Sequence, residues 1–387
     1  MVKEEFKDIA PFDDSEFKEK MATLVTEPGF EHAVKYAIPM VDYPTFAQQL
    51  LTIETKDEFQ YKIMLPFLEM LAQRTTSGIT MDGVDDSHRK ETFTYISNHR
   101  DIVLDASFLN LCLLKNECPT GEIALGDNLL IYEWIERLVK LNKGLIVKRN
   151  LPIIKAFKAA KQLSAYINYC HTDKHVSVWI AQREGRAKDS NDVTQESVIK
   201  MLALSGNDAI IETLTTLNIC PTTISYEYDP TDYLKATEFL CKRRKPDYVK
   251  SQHDDLLNME TGLLGFKGRV HYHLSPSING MLQTLTGITD KIELFSKICG
   301  YIDKCIHRGY RIFPVNYISY DLINKTTRFA DKYTQEDIDA FDKYLDQQLA
   351  KVRLDDVNDE ERQYMRKMII TMYANPLINK LIAEEQS

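Results

Sequence analysis

The chain lacks several features that would place it in a familiar class of protein. None of its 387 residues belongs to an apolar run approaching the ~18 residues of a membrane-spanning helix. Its seven cysteines contain no Cys-x-x-Cys pair, and the opening stretch "MVKEEFKDIAPFDD" is acidic and polar, unlike an export signal. We therefore expect a cytoplasmic protein with reduced thiols, either free in solution or lying on a membrane without crossing it.

The chain also lacks an excess of positive charge. The chain has 48 Lys and Arg against 57 Asp and Glu, a net charge of -9, so no general positive field surrounds it. Such a balance disfavours a nucleic-acid partner that is recognised by overall charge. A glycine-rich phosphate loop, which a protein kinase would have, is missing as well.

What the chain does have is an alternation of strand and helix patterns between two helical ends. Residues 1–80 have mainly helical spacing, 76–90 read as a turn-rich junction, and residues after about 285 are helical again. Between them lie predicted strands at 91–98, 144–149, 176–182, 220–227 and 268–274, and predicted helices at 105–116, 127–142 and 152–169. This order predicts an α/β fold with a mixed, largely parallel sheet flanked by helices. We divide the chain into an N-terminal helical segment (1–80), an α/β domain (81–285) and a C-terminal helical extension (286–387), the last with a capping box at Thr334 and Asp337.

The stretch "NHRDIVLD", residues 98–105, follows the first predicted strand of that domain. A histidine held by a carboxylate at one ring nitrogen can take a proton from a substrate hydroxyl at the other. His99 has two candidate partners, Asp101 and Asp105; the alternative is a surface histidine with Asp105 only capping the next helix. Although "HRD" also opens the catalytic loop of protein kinases, the asparagine expected there is Ala106 and no Asp-Phe-Gly follows, so that reading fails.

Cationic side chains follow two further strands. "GLIVKR" ends on Lys148 and Arg149, and "VWIAQREGRAKD" brings Glu184, Gly185, Arg186 and Lys188 after its strand. Since guanidinium groups bind phosphate in a bidentate manner, this set favours a phosphate-bearing substrate, and Gly185 would let the backbone approach it. Ordinary solvated charge at loop ends is the alternative for each residue taken singly.

Four stretches together resemble the sequence blocks of the glycerolipid acyltransferase family, which includes glycerol-3-phosphate and 1-acylglycerol-3-phosphate acyltransferases. "SNHRDIVLDASF" is similar to the histidine–aspartate block, "GLIVKR" to the second, "REGRAKD" to the third, and "ICPTTISYE", with Pro221, to the fourth. They occur in the family's order at intervals of roughly 40 residues, over about residues 80–280. The spacing differs in two places: five residues separate His99 from Asp105 where the family has four, and the third block is one residue shorter.

The resemblance implies an enzyme of phospholipid synthesis that transfers a fatty acyl group to a glycerophosphate or lysophospholipid hydroxyl. The donor would be acyl-coenzyme A or acyl carrier protein, both substrates, so neither a cofactor nor a metal is expected. His99 would be the base and Asp105 its partner, because the context "LDASFL" aligns Asp105 with the family's aspartate; Asp101 remains the rival. Binding of the acceptor would fall to a further set: Arg149, Glu184, Gly185, Arg186, Lys188 and Pro221.

Two other functions stay open. The acceptor could be a different hydroxylated lipid, or the chain could be a non-catalytic relative that binds lipid or carrier protein, its altered spacing having disabled the base. The distance from His99 to the nearest carboxylate separates enzyme from binder. The four cations at 242–245, in "CKRRKPDYVK", are a candidate surface for an acidic carrier protein or for anionic lipid headgroups, and thus for peripheral membrane contact.

Overall fold

A computed structural model describes residues 2–206 and 209–385. Seven strands form one sheet in this part of the chain: β1 (Gly78–Asp82), β2 (Thr94–Ser97), β3 (Glu122–Gly126), β4 (Gly144–Val147), β5 (Val178–Ala181), β6 (Ile219–Tyr226) and β7 (Arg269–Leu274). Their order in space is β1-β7-β6-β2-β5-β3-β4. β6, β2, β5, β3 and β4 are parallel, whereas β7 is antiparallel to β6 and parallel to β1. The predicted α/β class with a mixed, largely parallel sheet is confirmed.

Helices surround the sheet and make up both ends of the chain. In the described residues they are α1 (Asp14–Leu24), α2 (Pro28–Ala37), α3 (Tyr43–Leu51), α4 (Lys56–Phe59), α5 (Leu65–Thr75), α6 (Ser87–Lys90), α7 (Leu104–Lys115), α8 (Glu133–Leu141), α9 (Ile153–Tyr169), α10 (Glu196–Ala203), α11 (Ile210–Thr216), α12 (Asp232–Arg244), α13 (Gln252–Leu264), α14 (Asn279–Thr284), α15 (Lys291–Gly309), α16 (Pro314–Asn324), α17 (Gln335–Ala350) and α18 (Asp359–Glu385). The capping box of Thr334 and Asp337 starts α17 as predicted.

The central strands are apolar because both of their faces are covered. All four residues of β2 and all eight of β6 are buried, the pattern expected of parallel strands between two helical layers. One core packs Ile96 and Ile180 against α9, α10 and α15, and the other packs Tyr95 and Trp179 against α5 and α7. The sheet is therefore the rigid frame from which the loops at its carboxyl edge project.

The stretch 76–90, predicted as a turn-rich junction, has more regular structure than expected. It contains β1, whose residues are alternately exposed and half-buried because this strand lies at the edge of the sheet. β1 also crosses the predicted boundary between residues 80 and 81. The predicted helix 127–142 starts later than expected, at Glu133, since residues 127–129 form a 3-10 turn.

The helical ends pack directly on the sheet. Ile9 accepts a backbone hydrogen bond from Ile146 of the edge strand β4, and Phe6 stacks edge-on against Tyr166 of α9. At the other end, α16, α17 and α18 share a core with Ala236 and Leu240 of α12. Both extensions thus share buried contacts with the α/β part.

Candidate functional site

His99 lies just beyond the carboxyl end of β2, in the middle of the sheet. The preceding residue, Asn98, is fully buried and continues the β2–β6 ladder with its side chain. Its Oδ1 accepts from the backbone N–H of Ile224 at 2.8 Å and its Nδ2 donates to the carbonyl of the same residue at 2.9 Å. These two hydrogen bonds of the Asn98 side chain fix the backbone where it leaves the sheet, and so determine where the His99 loop begins.

His99 and Asp105 are in direct contact. Nδ1 of His99 lies 2.8 Å from Oδ2 of Asp105, within the distance of an ordinary hydrogen bond. The same oxygen accepts the backbone N–H groups of Arg100 at 2.6 Å and Asp101 at 3.0 Å. An oxygen that accepts three bonds fits a carboxylate, and in the tautomer with the proton on Nδ1 the lone pair of Nε2 is free to accept a proton. The His99–Asp105 pairing is present; its catalytic role stays a prediction.

Asp101 caps the helix that follows the His99 loop. Its Oδ1 accepts the backbone N–H groups of Val103 at 2.9 Å and Leu104 at 2.7 Å, which caps the start of α7. Asp105, considered from the sequence as the cap of this helix, does not cap it, because the cap comes from the loop residue ahead of the helix.

Two aromatic residues support the pair, and sequence reasoning missed both. The Trp179 ring of β5 stands edge-on to the His99 ring, with centroids 5.6 Å apart, and its Nε1 donates to Ser97 at 2.9 Å. Tyr272 of β7 donates its hydroxyl to the backbone carbonyl of Asp105 at 2.8 Å. Trp179 lay inside a predicted strand, and only the arrangement of the strands could have shown that it faces His99.

Arg100, considered from the sequence only as part of the kinase-like motif "HRD", anchors the loop that carries His99. Its guanidinium is buried and contacts both carboxylate oxygens of Asp192, at 3.3 and 2.5 Å, and the Tyr310 hydroxyl at 3.2 Å. Burial opposes the charge of Arg100, but the Asp192 carboxylate outweighs this and raises the Arg100 pKa. The loop that carries His99 is thus tied to the residue that follows α15 and to the segment after β5.

Arg149 and Glu184 come together from two different loops. Arg149 Nη1 lies 3.6 Å from Glu184 Oε1, and the Arg149 backbone N–H donates to Asp127 Oδ1 at 3.1 Å. Gly185 has φ +67, and no heavy atom of the described residues lies within 4 Å of where its Cβ would be. Left-handed backbone of this kind favours glycine, which fits the short third block.

Arg186 is the most available of the predicted phosphate-binding side chains. Its guanidinium donates to Thr231 Oγ1 at 3.2 Å and Asn258 Oδ1 at 2.8 Å, and it forms no salt bridge within residues 2–206 and 209–385. Lys188, in contrast, is paired with Glu238. Pro221 lies inside the sheet opposite Ile96, three residues before Ile224. The roles of these residues in binding stay predictions.

A network of buried charges connects Arg186 to the His99 loop. Lys235 pairs with Asp229 and also donates to the backbone carbonyl of Arg100 at 3.4 Å. Asp229 in turn accepts from Thr231, the same side chain that contacts Arg186. Burial lowers the pKa of the Lys267 ammonium to about 8, against the opposing pull of Asp101, Asp229 and Asp105. The region behind His99 is therefore dense in paired charge.

The four cations at 242–245 are already paired with acidic side chains. Lys242 contacts Glu238, Arg243 contacts Glu360, Arg244 contacts Glu361, and Lys245 lies 4.0 Å from Asp247. This surface therefore carries much less net positive charge than the sequence suggests, and a docking role for it stays a prediction. No helix in the described ranges is long and apolar enough to cross a membrane.

A scan against protein-family models gives no match, and a search of curated proteins gives none either. Among solved structures, the chain is similar to the 1-acyl-sn-glycerophosphate (LPA) acyltransferase PlsC of Thermotoga maritima, with 12% identity and a TM-score of 0.37. The match covers 77% of this chain and 96% of that one. Because both measures of likeness are low, we rest the proposed function on the geometry of the site.

Proposed function

We propose that this protein is an acyltransferase that moves a fatty acyl group from a thioester to a hydroxyl group of a glycerophosphate. The observation that carries the proposal is the contact between His99 Nδ1 and the buried Asp105 carboxylate at the carboxyl edge of the sheet. Open α/β sheets bind their ligands at this edge. His99 keeps 13% of its side chain exposed while Asp105 has 0%, so the imidazole is the member of the pair that a substrate can reach.

In the proposed reaction, His99 Nε2 takes the proton of the acceptor hydroxyl as its oxygen attacks the thioester carbonyl carbon. The C–S bond then breaks, and the thiolate leaves with the proton that His99 returns to it. Asp105 holds the ring in the required tautomer and stabilises the imidazolium between these steps. The step needs neither a covalent acyl-enzyme nor a cofactor.

The acceptor's phosphate would be bound by arginine. Arg186 donates to the neutral oxygens of Thr231 and Asn258, so its positive charge is not neutralised by a direct carboxylate contact within the described ranges. Arg149 sits on a neighbouring loop with Glu184 within 4 Å of it, an arrangement in which Glu184 can position the glycerol hydroxyls. A phosphate would gain charge-assisted hydrogen bonds from both guanidinium groups.

A non-catalytic relative is the weaker alternative. If the altered spacing had disabled the base, His99 would have no carboxylate within hydrogen-bond distance. Instead, Asp105 Oδ2 lies 2.8 Å from His99 Nδ1. The pairing is what an enzyme requires, and a protein that only binds lipid has no need of it.

The proposal is tested by supplying purified protein with acyl-coenzyme A or acyl-loaded carrier protein and a set of acceptors. Glycerol-3-phosphate and 1-acylglycerol-3-phosphate are compared with glycerol and monoacylglycerol, and ester products are detected by mass spectrometry. We expect product only with the phosphorylated acceptors. Equal turnover of the unphosphorylated ones would assign the enzyme to another hydroxylated lipid, and no acceptor-dependent product with either donor would refute acyl transfer.

A further inference from the structure

The first two turns of α9 expose three large apolar side chains that contact little of the protein. Ile153 is 89% exposed, Ile154 74% and Phe157 60%. Later in the same helix, Leu163, Tyr166 and Ile167 are buried in the core. Isolated exposed apolar residues are common on protein surfaces, but three adjacent ones on a single helix end indicate a contact surface.

Unpaired cations flank these side chains. Lys155, Lys158 and Lys161 are exposed, and none of them forms a salt bridge with another described residue. The sequence around them is uniformly basic: residues 137–172 contain no Asp or Glu and eight Lys or Arg, in a chain whose net charge is -9. The eight are Arg137, Lys140, Lys143, Lys148, Arg149, Lys155, Lys158 and Lys161. Arg137, Lys143, Lys148 and Arg149 are paired with acidic side chains and Lys140 is buried. The uncompensated positive charge therefore lies on Lys155, Lys158 and Lys161, beside the exposed apolar residues.

The position of α9 connects this surface to the candidate site. β4 ends at Val147 and α9 begins at Ile153, so the start of the helix lies at the carboxyl end of β4. Because β4 runs parallel to β2, His99 lies at the same edge of the sheet. Tyr132, which is 54% exposed, follows the parallel strand β3 at this edge too. Apolar, basic and candidate catalytic groups therefore share one edge.

We propose that the start of α9 inserts into the surface of an anionic lipid bilayer. Ile153, Ile154 and Phe157 would enter the boundary between headgroups and acyl chains, while Lys155, Lys158 and Lys161 remain among the anionic headgroups. This orientation turns the carboxyl edge of the sheet, with His99, towards the lipid. Lys158 and Lys161 lie one turn after Ile154 and Phe157 on the same side of the helix, so their long side chains can stay among the headgroups while the end of the helix inserts.

The shape and charge of the surface favour lipid over a protein partner. The three apolar side chains project from a helix end, and a protein would need a matching pocket for each of them, whereas a bilayer accommodates them without one. Uncompensated lysines also match the negative surface of an anionic membrane. The proposal does not depend on acyl transfer, since binding can be measured without any substrate.

The test is sedimentation of the full chain with vesicles, made either of phosphatidylcholine alone or of an equal mixture of phosphatidylcholine and phosphatidylglycerol. We expect binding to the mixed vesicles that weakens with salt. Ile153→Ser, Ile154→Ser and Phe157→Ser combined should reduce it at least ~30-fold. Lys155→Gln, Lys158→Gln and Lys161→Gln combined should reduce it roughly 10- to 100-fold and remove most of its salt dependence.

A matched control changes three exposed apolar residues elsewhere, Val249→Ser, Ile292→Ser and Leu322→Ser, and should bind vesicles like the unaltered protein. The proposal is overturned if the unaltered protein ignores anionic vesicles, or if the α9 variants bind as well as the control. Loss of binding to an acidic carrier protein in these variants, without vesicle binding by the unaltered protein, would assign the surface to a protein partner instead. Failure of the acceptor assay would leave these outcomes unchanged.

Discussion

Exchanging Asp105 for asparagine probes the candidate base without removing a side chain. The Oδ2 atom of Asp105 receives three hydrogen bonds, from His99 Nδ1 and the backbone N–H groups of Arg100 and Asp101. An asparagine oxygen at that place can accept the same three bonds, so the loop keeps its geometry. What Asp105→Asn removes is the negative charge next to His99.

The expected loss follows from the distance between the groups. Two unit charges about 4 Å apart interact by about 4 kcal/mol at an effective dielectric constant near 20, and this stabilisation of the imidazolium is lost in the variant. Since 1.36 kcal/mol corresponds to a factor of ten in rate, turnover should fall roughly 10³-fold. The new amide group would occupy the Oδ1 position, where Asp105 has no hydrogen-bond partner among the described residues. A buried unpaired donor costs about 1–3 kcal/mol, so the melting temperature should fall as well.

Asp101→Asn is the matched comparison. Asn caps a helix about as well as Asp, and Asp101 contacts the start of α7 through Val103 and Leu104. We expect turnover to fall by less than ~10-fold, the scale of a changed cap. Both variants are assayed by ester formation at saturating acceptor, with folding checked by circular dichroism. A larger loss for Asp101→Asn would transfer the role to that residue, and two harmless exchanges would refute the dyad.

Three further predictions concern binding and stability. Arg186→Ala should weaken binding of a phosphorylated acceptor by about 1.5–3 kcal/mol, measured as its apparent affinity, and an unchanged affinity would remove Arg186 from the site. Burial and the neighbouring Asp229 raise the pKa of Asp232 to about 7 from its usual 3.8, so its neutral form favours folding at low pH and this contribution is lost as the pH rises through about 7. The free energy of unfolding, measured by urea denaturation between about pH 3.8 and 7, should therefore decline less steeply with pH for Asp232→Asn than for the unaltered protein. Parallel curves would contradict the raised pKa. Gly262→Ala would place a Cβ 2.0 Å from the Asp101 carboxylate and should lower stability by about 1–3 kcal/mol, whereas Gly300→Ala, with open space around it, should not; equal melting temperatures would show that the carboxylate can move freely.

The local sequence pattern was enough to predict the central strands and helices. β2 and β6 are short apolar runs because helices cover both of their faces, and such burial is visible in composition. β1 escaped detection because it lies at the edge, where half of its residues face solvent and its short sequence "GITMD" has little contrast. An edge strand forms because it pairs with its neighbour in the sheet. Here that neighbour is β7, which lies 191 residues further along the chain at the Gly78–Arg269 pair.

The site could be predicted from the sequence only where its residues lie close together along the chain. His99 and Asp105 are six residues apart, and a strand followed by a helix limits where their side chains can point. Asp192 meets Arg100 across 92 residues, and Trp179 faces His99 only because β5 is next to β2 in the sheet. Strand order is a property of the whole fold, so these supporting residues could not be derived from local spacing.

His99→Ala offers the most direct test of the account. The measurement is acceptor-dependent ester formation from an acyl thioester by the unaltered protein and by the variant, with equal folding verified in both. Removing a general base should lower turnover by roughly 10²–10⁴-fold, while the melting temperature stays close to that of the unaltered protein. Near-normal turnover in a folded His99→Ala protein would contradict the account and place the chemistry elsewhere in the molecule.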